Sequence, residues 1–110
     1  MNSPTPTCIE EPQLSRRVAA MAAIGETPWR LQDGALAIDL AFVAFAHAFA
    51  LMSAVALEAE RMQHHPEWSN VYNRLSIRLR THDAGGVTEL DFALADAISK
   101  HASAYLTKPA

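Results

Sequence analysis

The chain has 110 residues, half of them hydrophobic and 19% charged, which suits one domain of ordinary size and is too short for two. Nine Lys and Arg against twelve Asp and Glu leave a net charge of −3, removing the phosphate attraction that nucleic-acid binders use, so no direct DNA or RNA binding is expected. One cysteine, Cys8, excludes an internal disulfide framework and a cysteine-based zinc site; no signal-peptide pattern occupies Met1 to Glu11, and a cytoplasmic setting is expected.

Residues 1–11 carry Pro4 and Pro6 among Ser and Thr with no apolar period, and predict a flexible N-terminal arm ahead of a single domain over 12–108. Leu14, Val18 and Met21 recur at helical spacing from Pro12 to about Ile24, with Gly25 just beyond. Trp29 and Leu31 alternate with Arg30 and Gln32, Asp33-Gly34 supplies a tight turn, and Leu36, Ile38, Leu40 and Phe42 alternate after it: two antiparallel strands.

Leu40 to Leu57 holds 18 residues without Asp, Glu, Lys or Arg, close to membrane-spanning length. Seven are Ala, His47 lies mid-run, and Asp39 and Glu58 bracket the segment, so a membrane partner is not expected. Phe45, Phe49, Met52 and Ala56 form a helical stripe, and Leu51, Val55 and Met62 widen the apolar surface beyond what one core contact needs, which predicts a subunit contact. Pro66 disfavours the α conformation at His65, so this helix should stop near His64.

Val71 and Tyr72 read as a short strand. Leu75, Ile77 and Leu79 alternate with Ser76, Arg78 and Arg80 in a longer one whose polar edge ends at His82. After Gly85-Gly86, Thr88 with Asp91 resembles a capping box, Val87 and Phe92 stand in staple positions, and a third helix runs through Leu94, Ile98 and Tyr105. The order α-β-β-α-β-β-α predicts an α+β fold in two layers, a four-stranded, mainly antiparallel sheet with three helices on one face.

Of five histidines, His47 reads as a hydrogen-bonded packing or interface residue and His101 as a helix-surface residue; neither is assigned a role. The pair in His64-His65-Pro66-Glu67-Trp68 sits where a helix ends and the chain must turn, which a capped terminus would explain as well as a site would. Thr81-His82, followed by Gly85-Gly86 and Asp91, supplies a second junction that can converge on the first. Neighbouring helical residues differ by about 100° in direction, so the pair lacks the i, i+4 geometry of helical zinc motifs, and no metal is expected. No serine elbow and no glycine-rich phosphate loop is present, so nucleophilic and nucleotide-cofactor chemistries drop out.

Glu60, His64-His65-Pro66-Glu67-Trp68, Asn70-Val71-Tyr72-Asn73, Thr81-His82, Gly85, Thr88 and Asp91 together resemble the pterin-4a-carbinolamine dehydratase family, also known in animals as a dimerisation cofactor of a homeodomain transcription factor. Weaker likeness reaches back through Phe45 to Phe49 and to Trp29. The resemblance implies dehydration of 4a-hydroxytetrahydrobiopterin to quinonoid dihydrobiopterin in tetrahydrobiopterin recycling, with no cofactor. It implies His64, His65 and His82 as the catalytic histidines, His64 and His82 being the acid/base pair and His65 mainly holding the pterin. Glu60, Gln63, Pro66, Trp68, Thr81 and Asp91 would complete the substrate-binding set, Asp91 orienting a histidine. A homodimer or homotetramer is implied. The alternative is a non-catalytic assembly or transcriptional-cofactor module acting through its helical surface. Gln63 stands where relatives commonly have Asp, and His47 where Arg is frequent.

Overall fold

The computed structural model describes residues 6–105; residues 1–5 of the expected arm and 106–108 of the expected domain lie outside them. The elements are α1 (Gln13–Ala19), β1 (Arg30–Gln32), β2 (Ala35–Ala41), α2 (Phe45–Met62), β3 (Glu67–Val71), β4 (Arg74–Leu79), a 3₁₀ turn (His82–Ala84) and α3 (Glu89–Tyr105). All strand pairs are antiparallel, in the sheet order β1-β2-β4-β3. The expected α+β order is therefore present, with the 3₁₀ turn added.

Asp33 and Gly34 both have positive φ, 50° and 77°, the twist that joins β1 tightly to β2. Register then sets the faces. Leu31 opposes Leu36, Leu36 opposes Leu79, Ile38 opposes Ile77, and Ile77 opposes Trp68, so these side chains share one side of the sheet. That side packs against Ala48, Leu51 and Val55 of α2, Leu94, Ala95 and Ile98 of α3, and Val18 of α1 in one core cluster. The reverse face is polar, with Arg30 bonded to Asp39 at 2.9 Å. Burying one fully enclosed Leu or Ile stabilises by about 1.5–3 kcal/mol, and Leu36, Ile38, Leu51, Leu75, Ile77, Leu79, Leu94 and Ile98 are all in that class.

Several boundaries differ from the sequence expectation. α1 stops at Ala19 rather than near Ile24, because Ile24 is buried by an isolated bridge to Thr27 instead of by a helix turn. β3 spans Glu67–Val71 rather than Val71–Tyr72; Tyr72, at φ 52°, belongs to the turn into β4, which the Asn70 side-chain amide holds by donating to the Tyr72 and Arg74 carbonyls. β4 ends at Leu79, so His82 does not lie on its polar edge but in the 3₁₀ turn. The helical stripe of α2 that faces the core is Ala48, Leu51, Val55 and Ala59, whereas Phe45, Phe49 and Leu57 are exposed. No helix among the described residues is long and apolar enough to cross a membrane.

Candidate active site

Two chain reversals build the site. α2 closes with Gln63 in the left-handed region (φ 53°, ψ 42°), its amide on the Glu60 carbonyl and the His64 amide on the Ala59 carbonyl. That is the paired 5→2 and 6→1 bonding of a Schellman end. The reversal carries His64 inward and leaves His65 and Pro66 at the rim. Beyond β4, the Thr81 amide donates to the Gly86 carbonyl at 2.8 Å and the Thr81 carbonyl accepts from Ala84 and Gly85; Gly85, at φ 80°, takes the positive-φ position this loop needs. The loop presents His82 beside the end of α2.

At the base lies Asp91, fully buried in the first turn of α3. Its Oδ1 is 2.6 Å from His64 Nε2, and its Oδ2 accepts from Thr81 Oγ1 and from the Thr88 amide, each at 2.8 Å. Thr88 Oγ1 is 2.7 Å from Thr81 Oγ1 and accepts from the Leu90 amide. Because Thr81 donates to Asp91, the chain runs one way, from the Thr88 hydroxyl to Thr81 to the carboxylate. The capping box expected from Thr88 and Asp91 thus also orients a histidine. An ionised Asp91 only accepts, so a neutral His64 carries its proton on Nε2 and leaves Nδ1 as its acceptor nitrogen.

The other two imidazoles repeat the pattern at the surface. His65 Nε2 is 2.7 Å from Glu60 Oε2, and His82 Nε2 is 2.6 Å from Glu67 Oε2. Arg80 Nε also donates to Glu67, at 3.3 Å. Burial pushes the Glu67 carboxyl up, but the hydrogen bond and charge of Arg80, with those of His82, outweigh it and hold the group below the usual carboxylate range.

A cavity of about 390 Å³ is lined by Gln63, His64, His65, Pro66, Thr81 and His82, with Pro6, Glu67, Arg80, Asp83 and Leu90 completing the wall. That lies within the range of about 300–1,000 Å³ common for small-molecule sites. Glu60 is set back and reaches this hollow through His65; Asp91 lies beneath it. Trp68, expected to bind substrate, does not line the cavity: it lies on the same face of the sheet as its cross-strand partner Ile77 and packs against the core cluster. Glu67 was not among the sequence-based site residues; its place beside the histidine pair was the available signal. A larger hollow, about 530 Å³, is lined by residues of α2 and α3, but its charged groups satisfy one another: Glu58 with Arg61 and His101, and Asp96 with Lys100. His101 is thus paired across the helices, while the buried Nδ1 of His47 has no hydrogen-bond partner among the described residues, against the hydrogen-bonded packing role expected of it. Among those residues no group of three or more His, Cys, Asp or Glu could hold a metal ion.

Comparison with known proteins gives consistent matches. The family model described as pterin 4 alpha carbinolamine dehydratase matches residues 10–101. A protein of Rhizobium leguminosarum bv. trifolii, provisionally named a pterin-4-alpha-carbinolamine dehydratase, is 45% identical over 93 residues, covering 83% of this chain and 92% of its own. One of Solibacter usitatus, with the same provisional name, is 49% identical over 83 residues, covering 76% and 87%. A crystal structure described as a transcriptional coactivator/pterin dehydratase from Brucella melitensis superposes with a TM-score of 0.78 at 35% identity, covering 86% of this chain and 97% of that one.

Proposed function

The chain belongs to the pterin 4 alpha carbinolamine dehydratase family, and on that premise we propose that it converts 4a-hydroxytetrahydrobiopterin to quinonoid dihydrobiopterin and water, in tetrahydrobiopterin recycling, using His64 and His82 as acid and base. The observation that carries this reading is three imidazoles around one cavity, each with Nε2 held by its own carboxylate. In the reaction the C4a–O bond breaks as the N5 lone pair forms a C4a=N5 double bond. One group must protonate the departing hydroxyl and another must take the N5 proton. His64, with its Nε2 committed to Asp91, offers Nδ1 as the base. His82, open to solvent, delivers the proton and recovers it from water.

His65, braced by Glu60, holds the bicyclic ring at the rim with Gln63 and Pro66, while Thr81 and Asp91 act through the ring of His64. Trp68 serves the reaction by packing β3. The exposed Phe45, Phe49 and Leu57 on α2 favour self-association as a homodimer or homotetramer and support the second reading, an assembly or coactivator role through that surface.

Stopped-flow mixing of the protein with a freshly generated 4a-hydroxytetrahydropterin tests the enzyme reading. It predicts quinonoid product appearing faster than the spontaneous dehydration, in proportion to protein concentration; a rate equal to the spontaneous one contradicts it and leaves the assembly reading.

A further inference from the structure

The chain ahead of α1 takes part in the site. Pro6 forms part of the cavity wall. Two residues on, Cys8 Sγ donates to the Ala84 carbonyl at 3.0 Å, and the Ile9 amide donates to the Val87 carbonyl at 2.9 Å. Ala84 closes the 3₁₀ turn that His82 opens, and Val87 ends the same loop. Gly86 lies against this segment so closely that a Cβ there would sit 3.0 Å from Cys8 Sγ. Farther along, Arg17 of α1 pairs with Glu89 in the first turn of α3 and stacks over the Phe92 ring at 4.2 Å, so the chain is anchored both ahead of α1 and within it. The family match begins at residue 10, after Pro6 and Cys8.

We propose that Pro6–Ile9 is a strap that positions His82: its two bonds fix the outer side of the loop, and Pro6 closes the cavity wall at that edge. Cys8 is the positioning residue, and it acts through the Ala84 carbonyl. The proposal rests on the dehydratase reading for its kinetic consequence but not for its geometry. A loop carrying a proton donor needs registry with the substrate to a fraction of an ångström, and small misplacements are expensive in rate.

The test compares wild type, Cys8→Ala and Cys8→Ser in the full chain. Cys8→Ala removes the donor and should lower kcat about ten-fold with KM little changed, while the urea midpoint stays near wild type. Cys8→Ser keeps an O–H donor and should recover most of the rate. Without substrate, the His82 ring resonances should move in the alanine variant and return in the serine variant. Gly86→Ala approaches the contact from the other side: it should lower kcat alone, and adding Cys8→Ala should relieve the clash, leaving the double variant no slower than Cys8→Ala. Unmoved His82 resonances, a serine variant no better than alanine, or simply multiplying losses in the double variant would overturn the strap. Should wild type itself fail to turn over the pterin, the dehydratase reading falls, and the His82 resonances alone decide the strap.

Discussion

The His64 side chain is 9% exposed and its partner Asp91 is 0% exposed, whereas the His82 side chain is 64% exposed and its partner Glu67 40%. Both pairs put a carboxylate oxygen 2.6 Å from Nε2. At the inner end the carboxylate also holds Thr81 and the first turn of α3, so the ring belongs to the scaffold. At the outer end Glu67, itself bonded to Arg80, holds the ring from the surface, and the loop behind it leans on residues 8 and 9. In a low-dielectric interior such bonds are stronger and more costly to break than in water. One imidazole is fixed by the fold, and the other is free to exchange protons with solvent. The proposed dehydration, with one stationary acceptor and one refillable donor, would draw on that asymmetry.

The sharpest way to break the comparison is to remove each carboxylate. Asp91→Ala leaves the buried His64 Nε2, the Thr81 hydroxyl and the Thr88 amide without their acceptor, and should cost about 3–5 kcal/mol in urea unfolding. Glu67→Ala, at a solvent-screened pair, should cost less than about 1 kcal/mol. Its effect should instead fall on kcat. Similar losses of stability in the two variants would mean that the two ends are not held differently.

Acid should separate the ends less strongly. The Glu67, Glu58 and Glu89 carboxyls all lie below their ordinary value of 4.5. At Glu67, burial opposes the lowering and Arg80 and His82 outweigh it; at Glu58 the bonds from Arg61 and His101 lead, and at Glu89 the bond from Arg17 leads. A carboxyl depressed in the folded state stabilises above its unfolded pKa and loses that contribution as pH falls through the folded value. Melting temperatures should therefore show no loss from these groups down to about pH 5 and a decline below it. Glu67→Gln should decline less steeply than wild type, and an equally steep decline would remove Glu67 from the account.

The smallest expected effect is at Gln63, whose left-handed backbone Asp tolerates well. Gln63→Asp adds a negative charge beside the histidine pair, which favours protonated imidazole, and should move the acidic limb of the pH–rate profile to higher pH with little change in stability. An unmoved limb would show that position 63 does not tune the site.

Much of the scaffold was legible in the sequence. The alternation through Leu36, Ile38 and Leu40, the Asp33-Gly34 turn, and Thr88 with Asp91 are local patterns whose physics is complete within a few residues. Trp68 and Glu67 were harder because their roles depend on strand parity. Starting β3 at Val71 hides the fact that Trp68 faces the core with Ile77 while Glu67 faces the other way, toward His82. Cys8 and Pro6 carry no periodic signal; the Cys8 bond joins residues 76 positions apart, and Pro6 meets a cavity wall built from the distant ends of α2 and β4. The fourfold apolar spacing on α2 also could not say which stripe faces inward; Ala48, Leu51, Val55 and Ala59 do, because small residues let α2 approach the sheet and α3.

His64 and His82 are proposed to perform the proton transfers. The most direct test of that assignment is the stopped-flow rate of His64→Ala/His82→Ala beside wild type, with far-ultraviolet circular dichroism to check the fold. The account predicts a folded protein whose catalysed rate falls by about a thousand-fold or more; a folded double variant that dehydrates the pterin at the wild-type rate would contradict it.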